Sequence, residues 1–368
     1  MKGSLRRPKL RIWLSALILV ITLTLILAYS SVAGLVNRGE AAISLVATFI
    51  LFPLSGAVTL NVDAQLEEQR RRLSDKVSGV ATNKSSPIPA EIHQVRLGGL
   101  EMRPTWTEAR QSCLDLHPHW IFRLWEDKEA DAFVAKYYPD LFETYRGYPL
   151  EIQRSNVLRY LLLETFGGVY LDLDLKCLEP LDFIRSEYFV TPPANPTGVN
   201  NAFIASSKNH PFWAHLVGSL KRYNMSWFGS PYITNMFSTG CHFFSTMHRT
   251  FRQHMWGQRD DGVMASMVVL EAKHKLNGHV VTPLFEHLGA SSWHKSDASM
   301  VLRIGRGVEW LKSHVASVSV FALIFAALGM VGSFAWALKT KRKRAFDRSR
   351  SATSKDQEQG LMEERRHL

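Results

Sequence analysis

The sequence predicts an α/β fold, because segments with helical spacing alternate with short strand-like segments. Residues 151–166 carry leucines at helical spacing, and residues 169–173 are rich in β-branched and aromatic side chains, as strands are. Gly167 and Gly168 lie between the two, where a helix C-cap and a tight turn belong. The same alternation of helix and strand continues along the middle of the chain and is typical of βα units.

The other predicted elements follow from equally local signals. Pro89 suits the start of a strand, and Pro118 suits the end of a helix because the residue before a proline avoids helical geometry. In chain order, the elements are a strand at residues 88–95, a helix at 106–116, a strand at 121–125, an amphipathic helix from Asp127, a strand ending near Ala205 and a helix from His210-Pro211.

The 368-residue chain carries a formal net charge of +11, and its basic residues are clustered. One cluster precedes the apolar residues 13–36, and another follows the apolar residues 315–338. A basic protein can bind nucleic acid, but basic clusters beside apolar segments are better explained by membrane topology. The sequence therefore predicts a membrane protein without a nucleic-acid partner.

Three apolar segments are candidates for membrane contact. Residues 13–36 and 315–338 contain no charge and are long enough to cross a bilayer, so both are predicted as transmembrane helices. The first is predicted as an uncleaved anchor, and the alternative is a signal peptide cleaved among the small residues 28–33. Residues 41–60 are interrupted by Pro53 and Gly56, and they are ambiguous between a span, a re-entrant segment and a helix on the membrane surface. Two basic termini in the cytosol require an even number of spans, which places the central region in the lumen of the secretory pathway.

The predicted organisation has six parts. They are a basic cytosolic N-terminus (1–12), the anchor (13–36), the second apolar segment with a charged stem (37–87), a globular domain (88–312), the second transmembrane helix (315–338) and a basic, disordered cytosolic tail (339–368). Glycosylation sequons at Asn83 and Asn224 are compatible with a lumenal domain.

Three cysteines, Cys113, Cys177 and Cys241, do not form a zinc-binding pattern. We interpret them as buried small hydrophobic residues. The alternative, in an oxidising lumen, is one disulfide and one free thiol.

Two aspartates mark the carboxyl end of the strand at residues 169–173. Residues two apart in a strand point the same way, so Asp172 and Asp174 are expected to project from one face. Open α/β sheets bind ligands at this end of their strands. Two neighbouring carboxylates suit Mg²⁺ or Mn²⁺, which would in turn hold a diphosphate. The alternative is a solvated strand end.

The surrounding residues carry a family resemblance. The run Arg154…Arg159-Tyr160…Gly167-Gly168-x-Tyr170-x-Asp172-x-Asp174 resembles the sugar-nucleotide-binding segment of glycosyltransferase family 32. The resemblance extends from about residue 88 to about residue 299. It implies a nucleotide-sugar-binding domain of GT-A type, with residues 88–312 as the catalytic domain.

The resemblance also implies roles for single residues. Asp172 and Asp174 would hold the metal, with His294 completing its shell or touching the diphosphate; a structural His294 is the alternative. The opening strand resembles the Ile-Pro-x-x-Ile-His-Gln segment of the family, which places its last two residues near the nucleotide. The implied donor-binding residues are His93, Gln94, Arg154, Asn156, Arg159 and Tyr170. For Arg159, the alternatives are a brace for Asp172 and a purely structural ion pair.

Within the family, the chain looks most like the fungal mannosyl-inositol-phosphoceramide synthase catalytic subunits. That resemblance implies retaining transfer of mannose from GDP-mannose to inositol phosphoceramide, with Mn²⁺ or Mg²⁺, at the Golgi membrane and beside a regulatory membrane subunit. The chain departs from the common family pattern at Asn156, Leu175, Ala202 and Cys241. These departures leave two alternatives: another Golgi glycosyltransferase, such as an N-glycan mannosyltransferase, and a non-catalytic membrane-anchored family member.

Overall fold

A seven-stranded mixed sheet forms the centre of the computed structural model, which describes residues 36–49, 51–52, 58–77, 86–195, 197–256, 266–276, 278–289 and 297. The strands are β1 (Val58–Leu60), β2 (Glu91–Val95), β3 (Ile121–Trp125), β4 (Gly168–Leu171), β5 (Leu175–Cys177), β6 (Phe189–Thr191), β7 (Phe203–Ser206), β8 (Val268–Leu270), β9 (Val280–Val281) and β10 (Phe285–His287). The helices are α1 (36–49), α2 (Val62–Val77), α3 (Pro104–Leu116), α4 (Asp127–Tyr137), α5 (Pro139–Arg146), α6 (Glu151–Phe166), α7 (Pro211–Tyr223), α8 (Pro231–Ser238) and α9 (Cys241–Trp256).

The large sheet has the order β1-β8-β6-β7-β4-β2-β3. Neighbouring strands are parallel except at β7, which is antiparallel to both β4 and β6. A second, antiparallel sheet has the order β5-β10-β9 and begins directly after the aspartate pair. The predicted α/β class is therefore confirmed, and the predicted helices and strands of residues 88–223 are present with small shifts at their ends.

The two faces of the large sheet bury two separate apolar clusters. In β4, Val169 and Leu171 lie in one cluster, while Tyr170 lies in the other, as alternation along a strand requires. Helices α6, α7 and α9 cover the Tyr170 face with leucines and aromatic side chains. Helix α3 and strand β5 cover the opposite face. The loops at the carboxyl end of β4 are thus held between two packed layers.

The N-terminal apolar segment packs on the domain. In α1, Ala41 and Leu45 are fully buried, Thr48 Oγ1 lies 2.9 Å from Thr246 Oγ1, and His242 Nε2 lies 2.8 Å from the Leu45 carbonyl oxygen. Strand β1 extends the sheet edge beside β8. Among the described residues, no helix combines the length and apolarity needed to cross a bilayer. Residues 13–35 and 315–338, predicted as spans, lie outside the described residues.

The charged segment predicted as a stem also joins the domain where the structure describes it. Val62 and Leu66, four residues apart on α2, are buried in the cluster on the α3 side of the sheet. Arg70 Nη2 reaches Glu179 Oε1 at 3.2 Å, and Lys273 forms an ion pair with Asp63. The packed domain therefore begins well before residue 88. The high charge of α2 concealed the two apolar residues that anchor it.

The cysteines differ from the interpretation that we adopted. Cys113 in α3 and Cys177 in β5 form a disulfide, whereas Cys241 is a free thiol. The alternative of one bonded pair and one free thiol is thus the arrangement that the structure has. The disulfide links strand β5 of the small sheet to helix α3.

Candidate active site

Two glycines bring the chain from α6 into β4. Gly167 ends α6 with φ 70°, and its N–H donates to the Leu163 carbonyl oxygen at 3.0 Å. Gly168 opens β4 with φ 90°. A Cβ atom would come within 2.6 Å of Lys208 N at the first position and 2.5 Å of the Glu91 carbonyl oxygen at the second. Glycine is therefore required by both backbone conformation and close packing, as predicted for this junction.

The two aspartates lie in a turn rather than in the strand. Strand β4 ends at Leu171, and the Asp172 N–H donates to the Ala202 carbonyl oxygen at 2.8 Å. The Leu175 N–H then donates to the Asp172 carbonyl oxygen at 3.1 Å, which closes a turn before β5. The expectation that both side chains project from one strand face is wrong. The turn nevertheless keeps them together at the carboxyl end of β4.

Asp172 is fixed through one carboxylate oxygen. Its Oδ1 lies 3.0 Å from Arg159 Nη1 and accepts the Tyr170 hydroxyl at 2.7 Å. The side chain still exposes 30% of its area, in contrast to 3% for Arg159. The carboxylate is thus held from the protein side and open on the other, which is the arrangement expected of a group that binds a ligand.

Electrostatics at Asp172 favour an added cation. Burial raises the pKa of Asp172, Arg159 opposes that rise, and the charge of Asp174 adds to it, so that the pKa lies above its ordinary value. Arg159 alone therefore does not fully compensate the two carboxylates. A divalent cation bound by both would supply the missing positive charge.

Arg159 acts as the brace for this turn. Besides Asp172, its Nη1 donates to the Asn201 carbonyl oxygen at 2.7 Å, and its guanidinium lies 4.3 Å from the centre of the Tyr170 ring. Burial lowers the pKa of Arg159, but the Asp172 carboxylate together with Tyr170, Tyr160 and Cys241 outweighs burial, so the pKa is raised. Arg159 remains charged, and its contact with Asp172 is the one that both the brace and the structural ion pair require.

His287 is the partner of Asp174 and was missed by the sequence analysis. Its Nε2 lies 3.4 Å from Asp174 Oδ2, and the Leu288 N–H donates to the Asp174 carbonyl oxygen at 2.9 Å. Burial lowers the pKa of His287, but the Asp174 and Asp172 carboxylates together with the Gly278 backbone outweigh burial, so the pKa is raised. Only the pairing of β5 with β10 brings this histidine to the turn, and no local sequence signal marks it.

His93 and Gln94, which the resemblance places near the nucleotide, are both fully buried. The Trp125 indole N–H donates to His93 Nδ1 at 3.3 Å, so Nε2 carries the proton and donates to the Gly167 carbonyl oxygen at 3.0 Å. Burial lowers the pKa of His93 to about 4. Gln94 accepts a hydrogen bond from Arg110. His93 therefore supports the glycine junction.

Arg154 and Asn156, also on α6, bond to residues of two other helices. Arg154 Nη2 reaches Asp131 Oδ1 at 2.9 Å, and its Nη1 reaches Glu151 Oε2 at 2.9 Å. Asn156 is buried and donates through Nδ2 to Asn235 Oδ1 at 2.9 Å. In the structure, Arg154 joins α6 to α4, and Asn156 joins α6 to α8. Neither is bonded to Asp172, and the donor-binding roles that the resemblance implied for them stay predictions.

The comparisons with known proteins agree with this site. Residues 104–191 match the family described as "Glycosyltransferase sugar-binding region containing DXD motif". Mannosyl phosphorylinositol ceramide synthase SUR1 of Saccharomyces cerevisiae is 31% identical over 285 residues, which are 77% of this chain and 70% of that protein. The chain belongs to glycosyltransferase family 32.

Other family 32 relatives are similar over somewhat shorter spans. Mannosyl phosphorylinositol ceramide synthase CSH1 of Saccharomyces cerevisiae is 32% identical over 67% of this chain and 62% of its own length. Inositol phosphoceramide mannosyltransferase 3 of Schizosaccharomyces pombe is 33% identical over 60% of each chain. The chain thus matches less than two thirds of these two relatives. Among solved structures, the PaToxG glycosyltransferase has a TM-score of 0.36 at 16% identity, covering 60% of this chain and 82% of that one.

The residues of this family 32 site fit a divalent metal in part. Asp172 and Asp174 offer hard oxygen ligands, and Mg²⁺ commonly binds through one or two carboxylates together with substrate phosphates and water. Within the described part of the chain, no group of three or more His, Cys, Asp or Glu side chains could hold a metal. His294, the predicted further ligand, lies outside the described residues. Among the described residues, Asp172 and Asp174 are therefore the predicted ligands that could hold such a metal together with a substrate phosphate.

Proposed function

We propose that this chain is a retaining, metal-dependent mannosyltransferase of GT-A type that transfers mannose from GDP-mannose to the inositol of inositol phosphoceramide. The observation that carries the proposal is the Asp172–Asp174 turn, held by Arg159, Tyr170 and His287 beside the carboxyl end of β4. Relatives named as inositol phosphoceramide mannosyltransferases and mannosyl phosphorylinositol ceramide synthases support the choice of sugar and acceptor.

In the proposed reaction, the oxygen of an inositol hydroxyl forms a bond to the anomeric carbon of mannose. The bond from that carbon to the diphosphate breaks, and its electron pair leaves with the diphosphate. The hydroxyl proton passes to the departing phosphate oxygen on the same face of the sugar, so configuration is retained. Mn²⁺ or Mg²⁺ held by Asp172 and Asp174 would neutralise the charge that builds up on the diphosphate.

Each residue around the turn has a part in this step. Arg159 and Tyr170 both bind Asp172 Oδ1, which leaves the rest of the carboxylate directed away from the protein. His287 orients Asp174 from the second sheet. Since these partners are already in place, binding of the donor requires little rearrangement of the aspartates.

We propose a Golgi membrane location with a lumenal catalytic domain, spans at residues 13–36 and 315–338, and a regulatory membrane subunit as partner. The basic clusters at both ends support the topology through the positive-inside rule. The Cys113–Cys177 disulfide fits an oxidising compartment. Protease treatment of sealed microsomes should spare the domain and remove the tail. Cleavage of the domain in intact vesicles would contradict this topology.

The runner-up is transfer of mannose to a glycan. The initiation-specific alpha-1,6-mannosyltransferase of Candida albicans is 28% identical, but over only 36% of this chain. The lipid acceptor is therefore the better-supported choice. A family member that has lost catalysis is disfavoured because the aspartates and their partners are all present.

Sphingolipid analysis of a deletion strain tests the proposal. We expect inositol phosphoceramide to accumulate and its mannosylated forms to disappear, and we expect the wild-type gene, but not an Asp174→Asn gene, to restore them. Incubation of the purified full-length protein with GDP- and UDP-sugars then tests the donor. Normal sphingolipids with truncated N-glycans would support the runner-up. A strain in which both are normal would support the non-catalytic alternative.

A further inference from the structure

A cleft of about 370 Å³ opens where the start of α6 meets α8 and the loop between α7 and α8. Its walls include the apolar side chains of Leu150 and Met225 and the polar side chains of Gln153, Ser226 and Thr234. None of the described residues that line it is charged, and the Asp297 carboxylate accepts a hydrogen bond from the hydroxyl of the lining residue Ser230 at 2.7 Å. A cleft with mixed walls and no cationic residue among those described suits a neutral ligand that has both hydroxyl groups and C–H surfaces.

Gln153, one of the residues that line this cleft, has a buried hydrogen-bond acceptor. The residue is fully buried, and its Oε1 has no hydrogen-bond partner among the described residues. The orientation of the amide is fixed by its neighbour: the Ser238 hydroxyl donates its single proton to the Thr234 carbonyl oxygen at 2.6 Å. Ser238 Oγ must therefore accept from Gln153 Nε2, at 2.6 Å. The free group is then the carbonyl oxygen, which can accept only from a donor such as a hydroxyl.

The position of the cleft relates it to the aspartate turn. Helix α6 enters β4 at its amino end through Gly167, whereas Arg159 reaches Asp172 at the carboxyl end. Gln153 precedes Arg159 by six residues, so it lies about 9 Å farther along the helix axis, beyond the carboxyl end of the sheet. The cleft therefore lies toward the same end of the sheet as the turn that would hold the donor diphosphate.

A polar network joins the two places. Asn156, which lies on α6 between Gln153 and Arg159, bonds to Asn235 and accepts from Asn201 Nδ2 at 3.1 Å. The Asn201 carbonyl oxygen accepts from Arg159. These bonds fix the cleft wall relative to the aspartate turn, as a site for two reacting molecules requires.

We propose that this cleft binds the acceptor as a neutral polyhydroxylated ring, one of whose hydroxyls donates to Gln153 Oε1. The proposal rests on the proposed function and adds the acceptor subsite. The phosphate and lipid of an inositol phosphoceramide would lie outside the cleft, because none of its described lining residues is a cation that could pair with the phosphate. A terminal sugar of a glycan has the same ring chemistry, and the experiment must distinguish the two sources.

Binding of small polyols tests the cleft independently of catalysis. Equilibrium dialysis of the full-length protein with GDP and Mn²⁺ would measure binding of labelled myo-inositol and of methyl α-mannoside. Ser226→Tyr places a large ring in the cleft, and we expect it to abolish polyol binding. Gln153→Met should weaken it about tenfold, as expected for the loss of one hydrogen bond. Binding of myo-inositol by the wild type identifies the lipid source, and binding of the mannoside identifies the glycan source.

Two controls separate the cleft from other effects. Enzymatic removal of N-glycans from the wild-type protein reproduces the loss of the Asn224 sequon that Ser226→Tyr causes, but it adds no ring. Ala214→Tyr adds the same ring on an exposed residue of α7 that does not line the cleft. Both should bind polyol as the wild type does. Hydrolysis of the donor by each variant reports that it is folded.

The cleft proposal would be overturned if Ser226→Tyr bound the polyols as well as the wild type does. It would also be overturned if the wild type bound neither polyol. The proposed function would then still be decided separately, by transfer of mannose to inositol phosphoceramide in the same preparations. If Ser226→Tyr transfers mannose at the wild-type rate, the acceptor binds elsewhere. If the protein binds inositol in the cleft but transfers mannose to no acceptor, the proposed function is wrong and the cleft remains a polyol-binding site.

Discussion

Two arginines of the same helix show how differently two sides of α6 are used. Arg159 is buried against Asp172 and Tyr170, whereas Arg154 lies among Asp131, Glu151 and α4. Five residues along an α-helix correspond to a rotation of about 140° beyond one full turn, so the two side chains leave the helix in different directions. The family-like run contains both arginines, but only one of them can face the aspartate turn. The following experiments test this difference.

Removal of Arg159 should have the largest effect. Arg159→Gln leaves the partly buried Asp172 carboxylate without its ionic partner, and breaking a buried pair costs about 3–5 kcal/mol. We expect a free energy of unfolding lowered by that order and little residual transfer. Urea denaturation followed by Trp fluorescence measures the first, and mannose transfer measures the second. A stable Arg159→Gln protein with normal activity would show that Arg159 does not brace the aspartate turn.

Removal of the charge at Asp174 should affect catalysis rather than folding. Asp174→Asn keeps the size of a side chain that is 15% exposed, so stability should change little, but one charged ligand for the metal is lost. We expect the rate of transfer to fall by about 100-fold or more. Transfer by the wild type should stop with a chelator and return with Mn²⁺ or Mg²⁺. Full activity of the chelated wild type would contradict metal dependence.

The sequence predicted local features well and long-range pairings poorly. Helix α6 and its glycine junction were predicted because periodicity and the two glycines are local signals. His287 was missed because only the pairing of β10 with β5, more than a hundred residues earlier, brings it to Asp174. His93 and Gln94 have the side chains of ligands, but burial in the packed sheet is a tertiary property. The domain's N-terminal extension escaped prediction because α2 shows few apolar residues among its charges.

Acid should destabilise the side of the sheet that His93 supports. Burial lowers the pKa of His93 to about 4, so between pH 6.5 and 4 the unfolded chain binds a proton that the folded protein does not. Stability therefore rises with pH in this window, and His93 should account for a loss of about 2 kcal/mol between pH 7 and pH 5. Denaturation curves at both pH values, for the wild type and His93→Gln, measure this loss. An equal loss in both proteins would mean that other buried groups cause it.

The smallest effect is expected on the other side of α6. Arg154 pairs with carboxylates that keep much of their solvent exposure, 29% for Asp131 and 54% for Glu151, and such pairs contribute about 1 kcal/mol or less. Arg154→Gln should therefore unfold at nearly the wild-type urea concentration and keep its KM for the donor. The comparison with Arg159→Gln is well matched because both variants remove an arginine from one helix. A large rise in the donor KM of Arg154→Gln would instead show that Arg154 binds the donor, as the family-like run implies. Asp131 and Glu151 would then have to release Arg154 when the donor binds.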